Sequence, residues 1–192
     1  MIAGIDYGSK TAGTTVVAWL ETDTICLQQS EKNKDADAFL KAIVTSQNFQ
    51  IIGLDAPLSL PARLVDKSAE GDYFYREADK VLNAMSPMFL GGLTARAIKL
   101  RDELDDEVGE MIEAYPKAFV QKLPFRADYQ KKNLSTLRTF YEQLQAEYPQ
   151  FQYPKVHNWH QLDAILALLI TYQYSNGTHS AAGSPHEGLI IY

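Results

Sequence analysis

The stretch MIAGIDYGSK, residues 1–10, begins with an apolar run that ends in a carboxylate at Asp6. Because this run hardly alternates between apolar and polar residues, it predicts a strand that is buried on both faces. A second apolar run, QIIGLD, ends in the same way at Asp55. A helix predicted between the two runs, capped by Asp35 or Asp37, would make them a parallel pair with a right-handed crossover. If the two strands are neighbours, both carboxylates lie at the same edge of one sheet.

The remaining patterns predict an α/β domain with a mixed sheet. Residues 14–20 and 24–29 read as strands, and the short polar links around them imply two hairpins, so the first three strands are antiparallel. Prolines and glycines interrupt the chain after the fourth strand, which predicts a helical or irregular insertion over roughly residues 56–92. Further elements are predicted as helices at 93–104, 134–144 and 158–174 and strands at 109–115 and 188–192. Residues 1–192 are expected to form one domain.

The composition is that of an ordinary globular protein. Of the 192 residues, 46% are apolar and 11% are aromatic, which suffices for a full core. Cys26 is the single cysteine, so an internal disulfide and a cysteine-based zinc site are excluded, and a reducing cytoplasm is the expected setting. The N-terminus lacks the pattern of a signal peptide, and no apolar run has the length of a membrane span, so no membrane partner is expected.

The charge of the chain is uneven. The formal net charge is −6, which argues against a protein that coats nucleic acid through charge alone. Most of the 18 Lys and Arg residues lie between Arg63 and Arg138. This concentration fits either a basic face on an acidic protein or an ordinary solvated surface.

Asp163 interrupts an otherwise apolar helix, QLDAILALLI. A helix that is apolar on all sides is buried, and an unpaired carboxylate within it is costly or becomes neutral. Asp163 therefore needs a basic side chain, a hydrogen-bond donor or a metal ion as partner. The alternative is that it lies near the exposed end of the helix and caps or pairs locally.

Four acidic residues are the candidate catalytic and metal-binding residues: Asp6, Asp55, Glu113 and Asp163. Like charges brought together repel, and a divalent cation removes the repulsion. Mg²⁺ or Mn²⁺ suits such a set, because it takes a few carboxylates and keeps positions for water and phosphate oxygens. Two such ions ~4 Å apart support phosphodiester cleavage. Each residue also has a local explanation: a turn for Asp6, a strand end for Asp55 and an exposed edge strand for Glu113.

The order of motifs resembles a known group. GIDYGSKTAGTT, GLDAPLSLP, YREAD, IEAYPKAF, HQLDAILALL and EGLIIY together resemble predicted nucleases of ribonuclease H-like fold that are catalogued as a domain of unknown function. The resemblance implies a ribonuclease H-like mixed sheet. It also implies that acidic residues on the first strand, the fourth strand and a late helix bind catalytic metal, which places those roles on Asp6, Asp55 and Asp163. Glu113 would be a further acidic member.

Weaker signals concern substrate contacts. Lys10 lies in the first predicted turn and is a candidate phosphate contact, although a polar turn needs no such role. Arg76 in YREAD is a substrate-binding candidate through the resemblance, and the alternative is that it pairs with Asp79 on one helix face. His157 and His160 are interpreted as capping or surface residues, because zinc would need more ligands nearby. Three consecutive aromatic residues, 73–75, either stack on bases or pack the insertion onto the core.

Three functions compete at this point. A metal-dependent nuclease acting on DNA or RNA is favoured. An ATP-binding phosphotransferase of the actin and sugar-kinase type is the first alternative, because Asp6-Tyr7-Gly8 after a first strand also suits phosphate binding. A single domain and the absence of Gly two residues after Asp55 count against it. A non-catalytic scaffold for nucleic acid or protein is the second alternative, and the retained carboxylates disfavour it.

Overall fold

The structure is a computed structural model that describes residues 1–192. It contains seven strands, eight α-helices and one 3₁₀ turn. The strands are β1 (Ile2–Asp6), β2 (Val16–Glu21), β3 (Thr24–Gln29), β4 (Ile51–Asp55), β5 (Glu110–Ala114), β6 (Ala181–Ser184) and β7 (Gly188–Ile191). The helices are α1 (Ala36–Gln47), α2 (Ala62–Val65), α3 (Glu77–Leu82), α4 (Pro87–Leu90), α5 (Gly92–Leu104), α6 (Pro116–Val120), α7 (Leu134–Glu147) and α8 (Trp159–Ser175), and the 3₁₀ turn is Arg126–Asp128.

All seven strands form one mixed sheet in the order β3-β2-β1-β4-β5-β7-β6. Strands β1, β2 and β3 are antiparallel, whereas β4, β5 and β7 run parallel to β1 and β6 closes the edge in the antiparallel sense. One apolar layer packs α6, α7 and α8 against the sheet, and a second packs α1 and α5 against it. The predicted fold class is confirmed: three antiparallel strands, then parallel strands, flanked by helices.

The helix ends follow the predicted capping chemistry. The carboxylate of Asp35 accepts hydrogen bonds from the backbone N–H groups of Asp37 and Ala38, so Asp35 is the residue that caps α1. At the start of α8 the side chain of Asn158 accepts from the backbone N–H of Gln161, and the Gln161 side chain accepts from the backbone N–H of His157. This reciprocal pair fixes the start of α8, five residues before Asp163.

Two glycines let α8 lie very close to the sheet. A Cβ atom built on Gly4 would lie 1.9 Å from the backbone N of Leu168, and one built on Gly53 would lie 2.1 Å from the hydroxyl oxygen of Thr171. Gly4 and Gly53 are paired neighbours on β1 and β4. The absence of side chains at this pair therefore sets the distance between α8 and the two strands that end in Asp6 and Asp55.

The segment predicted as an insertion contains three short helices, α2, α3 and α4, between β4 and α5. The carboxylate of Glu187 joins this segment to the turn between β6 and β7, since it accepts hydrogen bonds from the backbone N–H groups of Ala62 and Glu77. The hydroxyl of Ser59 also donates to the carbonyl oxygen of Glu187. These contacts hold the segment against the edge of the sheet that the last hairpin forms. None of the helices has the length and apolar character that a membrane span requires.

Candidate functional site

Asp6 and Asp55 lie side by side at the carboxyl ends of β1 and β4. The two strands are parallel and in register, and Asp6 pairs directly with Asp55. Neighbouring strands lie ~4.8 Å apart, so two side chains at one register position lie close together. The sequence-based prediction that these two carboxylates share one edge of the sheet is confirmed by the pairing. The carboxyl end of parallel strands is also where open α/β sheets bind their ligands.

Asp163 reaches the same place from α8. Its side chain is 3% exposed, and Lys131 Nζ lies 2.5 Å from its Oδ2 atom. The hydroxyl of Tyr129 donates a hydrogen bond of 2.5 Å to the Oδ1 atom. Burial and the nearby charge of Asp6 raise the pKa of Asp163, against the opposing effect of Lys131. Asp163 therefore has the partners that a buried carboxylate needs, and they come from the segment before α7 rather than from its own helix.

Asp55 is the least compensated of the three carboxylates. Loss of solvation raises its pKa well above the ordinary range, and the charges of Asp6 and Asp163 raise it further. The positive charge of Lys131 opposes this rise. No protein group donates a hydrogen bond to the Asp55 carboxylate. Asp55 is partly exposed, and a carboxylate close to other carboxylates that has no protein donor is the arrangement that a bound cation would stabilise.

Asp6 has a partner on α8 that the sequence analysis had interpreted as a capping or surface residue. His160 Nδ1 lies 2.7 Å from Asp6 Oδ2, and the side chain of His160 is about half exposed. The hydrogen bond with Asp6 raises the pKa of His160. His160 lies three residues before Asp163, so the two side chains share a face of α8. That spacing was the one signal in the sequence that could have linked His160 to the site.

Glu113 lies on β5, the next parallel strand, but its carboxylate already has a full set of donors. Arg76 donates to both of its oxygens, with distances of 2.6 Å and 2.7 Å, and the backbone N–H of Leu58 donates to one of them at 2.9 Å. The guanidinium of Arg76 also binds both oxygens of Asp79. The Arg76 and Asp79 side chains are buried to 1% exposure or less, and Glu113 to 8%. The structure thus separates Glu113 from the other three acids by its bonding.

The two predicted substrate contacts occupy different environments. The side chain of Lys10 is half exposed, and its Nζ atom lies 3.1 Å from Asp35 Oδ2. Arg76 is buried in the ion-pair network, so in this conformation its guanidinium faces protein and not solvent. The pairing with Asp79, which the sequence analysis left open, is the one the structure shows. Close packing explains why a glycine stands at position 8, since a Cβ atom there would lie 2.1 Å from the hydroxyl oxygen of Thr14.

A cleft of about 270 Å³ opens at this edge of the sheet and is lined by Asp6, Asp55, Asp79 and Glu113 together with apolar residues such as Met85 and Leu93. Its donor atoms are carboxylate oxygens, the ligand type that Mg²⁺ and Mn²⁺ prefer. No three His, Cys, Asp or Glu side chains are arranged as a ready-made coordination set. A larger cleft of about 780 Å³ lies beside β5 and β7 and includes Glu113, but none of the three aspartates.

Tyr129 and Lys131 are the site residues that the sequence analysis missed. Both lie in an irregular segment between the 3₁₀ turn and α7, where no periodicity marks a residue as buried or facing a site. Tyr129 packs its ring between Phe140 and Trp159, with centroid distances of 5.4 Å to each. Only the folded chain brings this segment to Asp163, 32 and 34 residues later in the sequence.

The fold and the site define a mixed α/β domain with acidic side chains gathered at the carboxyl ends of its central strands. The chain belongs to the family described as "Protein of unknown function (DUF429)", whose model matches residues 4–187. No curated protein and no solved structure matches it.

Proposed function

We propose that this protein is a metal-dependent nuclease of ribonuclease H-like fold that hydrolyses phosphodiester bonds in DNA or RNA. One observation carries the proposal: Asp55 pairs with Asp6 at the ends of two parallel strands, has no hydrogen-bond donor from the protein, and has its pKa raised by burial and by the charges of Asp6 and Asp163. The strand order around it, three antiparallel strands followed by parallel ones, agrees with the fold that the sequence resemblance implies.

Asp6, Asp55 and Asp163 are the residues that would hold Mg²⁺ or Mn²⁺. When bound, such an ion activates a water molecule and stabilises the leaving oxygen of a phosphodiester. The rigid pairing of β1 with β4 fixes the two strand-end carboxylates, and the close packing of α8 on Gly4 and Gly53 fixes Asp163. The candidate ligands thus lie on regular elements rather than on loops.

The other charged residues have supporting parts in this proposal. Lys131 and His160 provide positive charge beside the carboxylates, and Lys10 lies in the turn that follows β1. These cations, together with the bound metal, would allow an acidic protein to approach a polyanion. Glu113 is the less direct member of the acidic set. It lines the cleft, and its ion pair with Arg76 ties β5 to the segment that covers the cleft.

The test is cleavage of labelled single-stranded and double-stranded DNA and RNA by the purified protein with Mg²⁺, with Mn²⁺ or with a chelator. We expect metal-dependent cleavage of at least one of these substrates. Asp55→Asn and Asp6→Asn should abolish it while the circular dichroism spectrum stays the same. Asp106→Asn is the matched control, because Asp106 is exposed and lies between α5 and β5. Cleavage by the Asp55→Asn protein at the wild-type rate would reject the proposed site.

A further inference from the structure

Lys131 has an unusual position for a surface lysine. Its side chain is 49% exposed, but its ammonium group ends on Asp163, a carboxylate that is only 3% exposed. The ammonium also lies 5.2 Å from the centre of the Tyr129 ring, so the ring and the carboxylate together hold it. Exposed lysine ion pairs contribute little to stability, whereas a pair with a buried carboxylate removes a large desolvation cost. The end of this side chain is therefore held while its stem remains in solvent.

Lys131 is also the main positive charge acting on the carboxylate cluster as a whole. Its charge opposes those of Asp6, Asp55 and Asp163, and it offsets part of the rise that burial causes in the pKa values of Asp55 and Asp163. The groups that face the cluster from the packed elements are His160 on α8, Tyr129 before α7 and Glu113 on β5. His160 carries charge only when it is protonated, and Tyr129 is neutral. Lys131 is thus the permanent counter-ion of three carboxylates.

The ammonium group of Lys131 takes one lone pair of Asp163 Oδ2 and repels a divalent cation that approaches this oxygen. The geometry points to Lys131 as the residue that sets the cation affinity of the site: it neutralises the cluster without metal and releases Asp163 when a divalent ion binds. This inference rests on the proposed function, because it takes the three aspartates as the metal site. Lys131 is not itself a metal ligand in this scheme, but it competes with the metal for Asp163.

The moving part is the lysine side chain and not the segment that carries it. Tyr129 anchors the segment, since its ring contacts Phe140 and Trp159 in the core and its hydroxyl donates to the other oxygen of Asp163. The exposed stem of Lys131 can change rotamer without disturbing that anchor. Release of Asp163 Oδ2 therefore leaves the hydrogen bond to Oδ1 in place, and the carboxylate keeps its orientation.

The experiment measures Mn²⁺ binding by calorimetry and by electron paramagnetic resonance for the wild type, Lys131→Met, Lys131→Arg and Lys132→Met. Lys131→Met keeps most of the apolar stem and removes the charge. We expect it to bind Mn²⁺ about tenfold more tightly, which corresponds to the loss of one competing interaction of ~1.4 kcal/mol. Lys131→Arg keeps the charge and should bind as the wild type does. Lys132→Met, an exposed neighbour, should also bind as the wild type does.

Thermal melting in chelator gives a second readout. Lys131→Met should melt at a lower temperature than the wild type without metal, because Asp163 has lost its counter-ion, and it should gain more from added Mn²⁺. Equal Mn²⁺ affinity in Lys131→Met and the wild type would overturn the inference, and so would weaker binding. If the wild type binds Mn²⁺ and Asp55→Asn does not, the metal site stands whatever the Lys131 variants show. If the wild type binds no Mn²⁺, the proposed function itself fails.

Discussion

Two groups of carboxylates lie at the same edge of the sheet, and they are compensated in opposite ways. Asp79 and Glu113 surround the buried guanidinium of Arg76, which donates to both oxygens of each. Asp6, Asp55 and Asp163 instead gather with one lysine and one half-exposed histidine, and Asp55 has no donor at all. In the first group every carboxylate oxygen accepts a hydrogen bond from the protein. In the second group, three carboxylates share two basic side chains.

The two groups differ in whether their negative charge is already balanced by the protein. A buried ion pair with every oxygen bonded fixes geometry, and breaking it leaves an uncompensated charge in the interior. In the second group the pKa values of Asp55 and Asp163 are raised, and a bound cation would relieve the repulsion between such carboxylates. Sequence position does not distinguish the two, since Asp55 and Glu113 both lie at or next to the carboxyl ends of adjacent parallel strands.

Removal of Arg76 should have the largest effect on stability. Arg76→Met leaves Asp79 and Glu113 buried without a counter-ion, and we expect a loss of about 3–5 kcal/mol in the free energy of unfolding. Urea denaturation followed by circular dichroism measures it. Lys80→Met is the control, because Lys80 pairs with Asp72 at the surface and should cost under ~1 kcal/mol. Similar losses in the two variants would contradict the assignment of the Arg76 network as the structural group.

Divalent metal should have the next largest effect, and only on the second group. At a Mn²⁺ concentration 100 times the dissociation constant, binding to the folded state adds ~2.7 kcal/mol to stability and raises the melting temperature. Asp55→Asn should lose this response, whereas Lys80→Met should keep it. A melting temperature of the wild type that does not respond to millimolar Mn²⁺ or Mg²⁺ would count against the site.

The free energy of unfolding should depend on pH, because the pKa of Asp55 is raised in the folded protein. The folded-state pKa of Asp55 is raised, so the folded protein binds this proton more tightly than the unfolded chain does. The stabilising contribution is present below the ordinary pKa near ~3.9 and is lost as the pH rises through the raised value. In chelator, Asp55→Asn should therefore gain stability over the wild type at pH 8 and gain less at pH 5, because the cost of the ionised Asp55, ~1.4 kcal/mol for each unit by which its pKa is raised, is fully present only above the raised pKa. Urea unfolding at the two pH values measures this, and an equal gain at both would refute it.

The smallest expected effect concerns His160. Its hydrogen bond with Asp6 raises its pKa above the ordinary value, so the imidazolium stabilises the fold below that value and the contribution is lost as the pH rises through the raised one. Titration of the His160 ring by NMR should give a pKa above 6.5 in the wild type without metal. Asp6→Asn should lower it, because the hydrogen bond with Asp6 is the main cause of the rise. A His160 pKa that is unaffected by Asp6→Asn would remove His160 from the site.

Much of this arrangement follows from local sequence patterns. The apolar runs before Asp6 and Asp55 predict buried strands, and the connecting helix predicts their parallel pairing, which the register confirms. Asp163 stands out because a carboxylate interrupts an apolar helix. Strand β6 escaped prediction, since its sequence Ala-Ala-Gly-Ser has neither alternation nor β-branched residues.

The partners of the carboxylates were not predictable in the same way. Contacts such as Lys131 with Asp163 and Arg76 with Glu113 join residues more than 30 positions apart, and nothing in a local pattern states which distant segments meet. The sequence therefore offered no reason to expect different bonding partners for Asp55 and Glu113. Only the folded chain shows that Glu113 has a complete set of donors and that Asp55 has none.

The central claim is that Asp6, Asp55 and Asp163 form one divalent-metal site. The most direct test is a crystal soaked in Mn²⁺, with anomalous diffraction data collected at the manganese absorption edge. The account predicts an anomalous peak ~2.1 Å from carboxylate oxygens of Asp6 and Asp55, with the ammonium of Lys131 moved away from Asp163. A map without a peak among these three side chains, from crystals that bind Mn²⁺ elsewhere or not at all, would contradict it.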